Sequence, residues 1–224
     1  MSDPTNASKD EPKEDTTPGS APQNNAPEFD TRDPAAPAFW DERFERGFTP
    51  WDQAGVLPAF EAFAQAHSDA AVLIPGCGNG WEAGWLARSG RKVRAIDFAP
   101  SAVARARALL GDHADVVEEA DFYTYAPPFT PGWIFERAFL CALPKSQRAD
   151  YARRMAALLA PGALLAGYYF LGETPKGPPF GIARAELDAL LEPYFTLIDD
   201  QPVEGSLPVF QGRERWLTWR RNAG

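Results

Sequence analysis

From residue 71 onward the chain alternates between two patterns. Short blocks led by aliphatic and aromatic residues occupy 71–75, 92–97, 116–120, 133–139 and 163–170. Blocks of this length, bounded by turn-forming residues, predict strands. Between them apolar residues recur at helical spacing over 81–88, 101–110, 145–160 and 183–192, which predicts helices. Ser101 is a natural N-terminal cap for the second of these, and Pro161-Gly162 ends the third. A Pro-rich stretch over 125–131 joins the third strand to the fourth without a helix. Two last strand-like blocks, 194–198 and 216–219, have no helix between them and are expected to pair antiparallel.

Strands that alternate with helices predict a mostly parallel sheet covered on both faces. Right-handed crossovers then give a doubly wound, Rossmann-like α/β fold, with seven strands and an antiparallel C-terminal hairpin. Such sheets bind ligands beyond the carboxyl ends of their strands, where the strand order reverses. The loop Gly76-Cys77-Gly78-Asn79-Gly80, then Asp97, then Asp121 all fall at successive strand ends, so they are expected to meet at one site.

Upstream the pattern changes twice. Residues 1–36 are rich in Pro, Asp, Asn and Ser and poor in large aliphatics. Such a segment buries too little to offset its ordering entropy and is expected to be a disordered acidic tail. The domain proper is expected over 37–224. It opens with an aromatic lid segment over 38–66, where Phe39, Trp40, Phe44, Phe48 and Trp51 cluster. Trp40 and Phe44 are four apart, on one face of a first short helix, which Thr49-Pro50 breaks. A second short helix is expected over 57–66.

The formal net charge is −9, and much of the excess acid lies in the tail. A folded part this mildly acidic excludes a phosphate-backbone binder, which needs clustered Lys and Arg. Two cysteines, Cys77 and Cys141, and two histidines, His67 and His113, offer neither a disulfide scaffold nor metal-site spacing. With no signal-peptide core and no membrane-length apolar run, the expectation is a soluble, cytoplasmic, monomeric protein. It would act on a small molecule and bind neither nucleic acid, membrane nor metal.

The glycine loop carries the chemistry. Its glycines let the backbone turn sharply and approach a ligand closely. Asp97 can accept hydrogen bonds from both hydroxyls of a ribose, although capping the next helix would be role enough for it. A dinucleotide fingerprint would place its third glycine at position 81. Trp81 stands there, and basic residues are scarce in the loop. That suits a ligand carrying a sulfonium and an amino acid, S-adenosylmethionine. Asp121 can accept from the adenine amino group, with Phe122 packed on the ring.

At these residues the chain resembles class I S-adenosylmethionine-dependent methyltransferases. It is most similar to the branch of thiopurine S-methyltransferases and the plant-type halide, thiocyanate and thiol methyltransferases. The resemblance spans about residues 38–221. It rests on Trp40, Phe44 and Gly47-Phe48-Thr49-Pro50-Trp51-Asp52, and on Ile74-Pro75-Gly76-Cys77-Gly78 with its Pro-x-Cys-Gly loop. Ala120-Asp121-Phe122-Tyr123-Thr124, Phe135-Glu136-Arg137-Ala138-Phe139-Leu140-Cys141-Ala142 and Gly177-Pro178-Pro179-Phe180 extend it. The resemblance implies that Trp40, Phe44 and Trp51 pack on the cofactor. It implies that Gly76 and Gly78 meet the cofactor through backbone, Asp97 and Phe98 hold the ribose side, and Asp121 and Phe122 the adenine. Arg137 falls where thiopurine enzymes carry an arginine and the halide/thiol branch usually has tyrosine. Phe44 stands where both branches often show tryptophan.

Methyl transfer from a sulfonium is an in-line displacement, so the site must align its reactants and exclude water. A thiolate needs no further base. A nearby cation would raise the thiolate fraction of a thiol, and Arg137 is the candidate for that catalytic role, or else for the cofactor carboxylate. Phe48, Phe139 and Phe180 are the candidate acceptor contacts, with Tyr168 and Phe210 further possible wall residues. No His and no carboxylate cluster is expected at the end of the fourth strand. The other readings left open are a natural-product S- or O-methyltransferase and a non-catalytic S-adenosylmethionine-binding regulator.

Overall fold

The computed structural model describes residues 27–210 and 212–223. Most of the expected disordered tail, 1–26, lies outside them. Residues 27–36 do not follow the tail expectation: Phe29 is buried, and the Asp30 and Thr31 amides donate to Glu42. These contacts lie upstream of the expected domain boundary. One aromatic side chain, clamped by Arg43 over its ring at 4.1 Å, anchors this polar segment.

The elements in order are α1 (Pro37–Glu45), α2 (Pro58–Ala66), β1 (Val72–Pro75), α3 (Trp81–Arg88), β2 (Val93–Asp97), α4 (Pro100–Leu110), β3 (Val117–Glu119), β4 (Trp133–Arg137), α5 (Arg148–Leu158), β5 (Leu164–Phe170), α6 (Arg184–Leu191), β6 (Phe195–Pro202) and β7 (Glu214–Arg221). All seven strands form one sheet in the order β3-β2-β1-β4-β5-β7-β6. β1 to β5 pair in parallel, while β7 runs antiparallel to β5 and β6. The doubly wound sheet and its antiparallel hairpin match the sequence pattern. Strand order reverses between β1 and β4, so the ligand crevice of such a sheet falls between their carboxyl ends.

Both faces are buried, as continuous apolar strands require. Leu73, Ile96, Ile134, Leu165 and Leu217 face α5 and α6, where Tyr151, Met155 and Leu187 pack. Their neighbours Val72, Ile74, Ala95, Trp133, Phe135 and Ala166 face Phe60, Leu86 and Val103 of α2, α3 and α4. This is the period-two alternation of a strand with each side given its own core.

Three local details differ from the sequence pattern. The N-cap of α4 is Ala99, whose own side chain makes no capping bond. The Ser101 amide donates instead to Asp41 of α1 at 2.7 Å, so a tertiary contact takes over from the local cap. The helix expected over 145–160 starts as a 3₁₀ turn, Lys145–Gln147, before α5. β4 stops at Arg137 because Ala138 turns to φ 56, a left-handed conformation that ends extended pairing. α1 closes as the sequence break demands: Gly47 has φ 66, and the amides of Gly47 and Phe48 return to Phe44 and Arg43.

Candidate active site

A cavity of about 900 Å³ opens at the carboxyl ends of β1, β2 and β4, under the segment that precedes β1. Its floor is the glycine loop. Gly76 has φ 59, and a Cβ there would lie 2.4 Å from the Phe139 ring. A side chain at 76 is thus barred both by backbone strain and by the residue that walls the cavity.

Asp97 sits at the end of β2 and is buried. Its Oδ2 accepts from the Gly78 amide and its Oδ1 from the Ala99 amide, each at 3.0 Å. It therefore braces the loop and caps the approach to α4 together. A carboxylate offers about four lone-pair sites, so acceptor capacity remains toward the cavity. Burial pushes its carboxyl up, and the Ala99 and Gly78 amides oppose the shift.

Asp121 is exposed and spends one oxygen on the Tyr123 amide at 2.8 Å. Phe122 is buried, with its ring edge-on to Tyr123 and Phe139 at 5.3 and 5.1 Å. Both residues border the cavity, as do Phe98, Glu119 and Ala120.

The roof is the aromatic segment. Trp40 and Trp51 meet edge-on at 5.4 Å, and Phe44 meets Trp51 at 6.0 Å. Phe44 also lies 3.6 Å from where a Gly78 Cβ would be, which sets the roof directly on the floor. Phe48 packs on Phe29 at 5.3 Å. Asp52 ties the two layers together: it accepts from Asn79 Nδ2 at 2.7 Å and from Trp81 Nε1 at 3.0 Å.

At the far end the Arg137 side chain is largely buried and already paired. Its Nη1 donates to Glu82 Oε1 at 2.9 Å, its Nη2 to Gln53 Oε1 at 3.5 Å, and its guanidinium lies 5.4 Å from the Tyr168 ring centre. Both partners of the Arg137–Glu82 pair are only 10% exposed. Its Nε is buried without a partner among the described residues. Glu82 comes from the first turn of α3, where a helix N-terminus favours a carboxylate. The expectation here was of no carboxylate cluster, and one carboxylate, Glu82, stands beside Arg137. Glu82 is distant in sequence, and the glycine turn brings it beside Arg137.

A second carboxyl lies below. Glu136 is buried and accepts from Tyr151 Oη at 2.6 Å and from the Phe139 and Leu140 amides at 3.0 and 3.2 Å. It holds the turn that delivers Phe139, Cys141, Ala142 and Leu143 to the cavity. Burial pushes its carboxyl up to about 7, against those hydrogen bonds. Burial also pushes the Cys77 and Cys141 thiols up. Neither is a competing nucleophile at neutral pH.

Of the expected site residues, Trp40, Phe44, Phe48, Trp51, Gly76, Gly78, Asp97, Phe98, Asp121, Phe122, Arg137 and Phe139 all border this cavity. Phe180 does not: its amide donates to the Cys141 carbonyl, and Gly177, Pro178 and Pro179 present that loop to the cavity instead. Phe210 borders it, while Tyr168 is turned to the opposite core, where its hydroxyl accepts from the Phe60 amide. Glu82, Gln53, Asp52 and Asn79 are the residues that motif reading missed. The signal for Glu82 was its place one turn into the helix that follows the glycine loop.

Acceptors at Asp97, aromatic faces at Trp40 and Trp51, and a guanidinium at Arg137 complement a nucleoside joined to an amino acid. The volume lies at the upper end of small-molecule pockets, enough for that ligand and an organic acceptor together. Fold and site define a Rossmann-like S-adenosylmethionine-dependent methyltransferase. The model of the thiopurine S-methyltransferase (TPMT) family matches residues 35–222, and the chain belongs to that family. It is similar to the probable thiol methyltransferase 2 of Arabidopsis thaliana, 28% identical, with 82% of this chain and 85% of that one covered. It is 30% identical to the thiopurine S-methyltransferase of Vibrio campbellii, covering 70% and 82%. Among solved structures, the 1,6-didemethyltoxoflavin-N1-methyltransferase of Burkholderia thailandensis, with bound S-adenosylhomocysteine, shares the fold. The TM-score is 0.66 at 19% identity, over 84% of this chain and 87% of that one.

Proposed function

We propose that the protein methylates a small soft nucleophile, most of all a thiol, in the cavity between the glycine loop and the aromatic roof. The cofactor supplies an electrophilic methyl group on a sulfonium. Asp97 takes the ribose, Asp121 and Phe122 the adenine, and Gly76 and Gly78 offer backbone contacts. Trp40, Phe44 and Trp51 cover the methionine portion, and Arg137 faces its carboxylate or the acceptor. Phe48 and Phe139 flank the acceptor, with Pro178, Pro179 and Phe210 beyond them. In this reading the protein works as a monomer in the cytoplasm.

The observation that carries this reading is the Asp97 carboxylate, buried at the end of β2 and braced on the glycine-loop amide at Gly78. The thiol preference draws support from the thiol and thiopurine methyltransferases among its relatives. It also fits a site whose cation, Arg137, is kept in a dry wall. Calorimetry with S-adenosylhomocysteine tests the cofactor half, and a dissociation constant in the micromolar range or tighter is expected. A labelled-methyl assay across iodide, thiocyanate, hydrosulfide, thiophenols and mercaptopurine tests the acceptor half. Absence of cofactor binding sinks the whole reading. Binding without turnover of any acceptor leaves a non-catalytic regulator.

A further inference from the structure

Glu82 borders the cavity with one oxygen committed and the other reached by no donor of another described residue. The committed oxygen is Oε1, which accepts from Arg137 at 2.9 Å. We propose that Glu82 is the general base that removes the proton of the acceptor thiol through Oε2, while Arg137 holds the thiolate that forms. This rests on the thiol reading above.

A free thiol has a pKa of about 8.5 and is mostly protonated at neutral pH. A dry site that binds the thiol form must provide for its proton. Apart from Asp97, assigned above to the ribose, the other carboxylates near the cavity are committed or displaced. Asp52 is held by Asn79 and Trp81. Glu136 is sealed under the 138–143 turn by Tyr151 and two amides. Glu214 is held by Ser206 at 2.6 Å and is not part of the wall. Glu119 and Asp121 are exposed at the adenine side.

Charge conservation favours the Glu82–Arg137 pair. Before proton transfer the pocket holds a guanidinium beside a carboxylate. Afterwards it holds the same guanidinium beside a thiolate, with a neutral carboxylic acid. No new net charge enters a low-dielectric wall, which would be costly. The groups facing Glu82 are Arg137 from β4, Asp52 from the aromatic segment, Cys77 from the glycine loop and Tyr168 from β5. Burial raises the Glu82 carboxyl and Arg137 opposes this, which makes it a stronger base than an exposed glutamate.

In the step, the S–H proton passes to Glu82 Oε2 and the sulfur lone pair forms the new S–CH₃ bond. With S-adenosylmethionine bound, its carbon–sulfonium bond would break and the electron pair would stay with the departing sulfur. Glu82 then releases the proton to water.

The test is Glu82→Gln, whose side-chain carbonyl can still accept from Arg137. Rates are compared over a series running from alkyl thiols to electron-poor thiophenols already ionised at neutral pH. The expected loss in kcat/KM is on the order of 100-fold for alkyl thiols and under about threefold for the ionised acceptors. An equal loss across the series reduces Glu82 to a positioning residue and overturns the proposal, as does no loss. Calorimetry with S-adenosylhomocysteine shows whether the variant site is folded. If it is not, the wild-type pH profile decides. A rate with an alkyl thiol that is flat from about pH 6.5 to 8 supports an internal base, and a proportional rise with solution thiolate overturns it. Wild-type protein that methylates no thiol refutes the functional reading itself, a result distinct from either.

Discussion

The floor and the roof of the cavity are built differently. Floor residues sit at the ends of strands: Asp97 ends β2, Arg137 ends β4, and the glycine loop continues β1. Their positions are fixed by backbone ladders whose register runs through the centre of the sheet. Roof residues, from Phe29 to Gln53, belong to no sheet. A small apolar cluster of Phe44 with Ala99 and Ala102 holds them, with hydrogen bonds of Asp41 to the Ser101 amide, Arg105 to the Phe44 carbonyl, and Asp52 to Asn79 and Trp81. A hydrogen bond of this kind contributes a net of about 1 kcal/mol, whereas moving the floor means unpairing strands. The floor is thus the fixed reference for the reaction. The roof is the wall whose release costs least, and ligands would pass through it.

The harshest challenge to the floor is Gly167→Ala in β5. A Cβ there would lie 1.8 Å from the Glu136 carbonyl oxygen, across the β4–β5 pairing. Neither strand can yield without losing register, so the expected destabilisation is about 3 kcal/mol or more. Urea unfolding reads it directly. A wild-type midpoint in the variant would mean that the floor is more pliable than its ladder implies.

Glu136 sharpens the contrast in a different way, because it loads the floor electrostatically. Its folded carboxyl titrates at about 7 against an ordinary 4.5, through burial. The folded chain then holds the proton more tightly than the unfolded chain. Its stabilising contribution is complete below the unfolded pKa and is lost as pH rises through about 7. The associated decline is about 3 kcal/mol. Unfolding midpoints at about pH 5 and about pH 8 should therefore diverge in the wild type and converge in Glu136→Gln. The same decline in both proteins would assign the pH dependence to other buried carboxyls such as Asp97.

Asp97→Ala acts on one floor contact without disturbing the sheet. It removes the brace on Gly78 and Ala99 together with the acceptor assigned to the ribose. Affinity for S-adenosylhomocysteine is expected to fall at least tenfold, or about 1.4 kcal/mol. Calorimetry that shows an unchanged constant would confine Asp97 to its capping role.

The same contrast explains what was legible in the sequence. Strands, helices and the sheet-end residues follow from short-range pattern, because a strand buried on both faces must be a continuous apolar run and its loop must follow it. Asp97 and the glycine loop were found that way. Glu82 beside Arg137 was not, since 55 residues separate them and only the strand order brings α3 against the end of β4. Ser101 illustrates the same limit: locally it is a cap, and globally Asp41 claims its amide. Phe29 escaped because a single aromatic in a polar segment carries no periodicity. Phe180 was misplaced because the turn at Gly177-Pro178-Pro179 directs the loop, and motif reading assigns no direction to a side chain.

The smallest expected effect is the most direct probe of the roof. Asp52→Ala removes the hydrogen bonds from Asn79 of the glycine loop and Trp81 of α3 but leaves Trp51 and its edge-on aromatic partners intact. The residue is half-buried at the edge of the wall, so global stability is expected to shift by under about 1 kcal/mol. The loss appears in catalysis instead. Without the tie, the roof is docked for a smaller fraction of the time, and kcat/KM falls roughly fivefold, equivalent to about 1 kcal/mol. Cofactor affinity changes less, because its floor contacts remain. If Asp52→Ala melts the protein as severely as Gly167→Ala, the roof is part of the folding core, and the two walls differ in geometry alone.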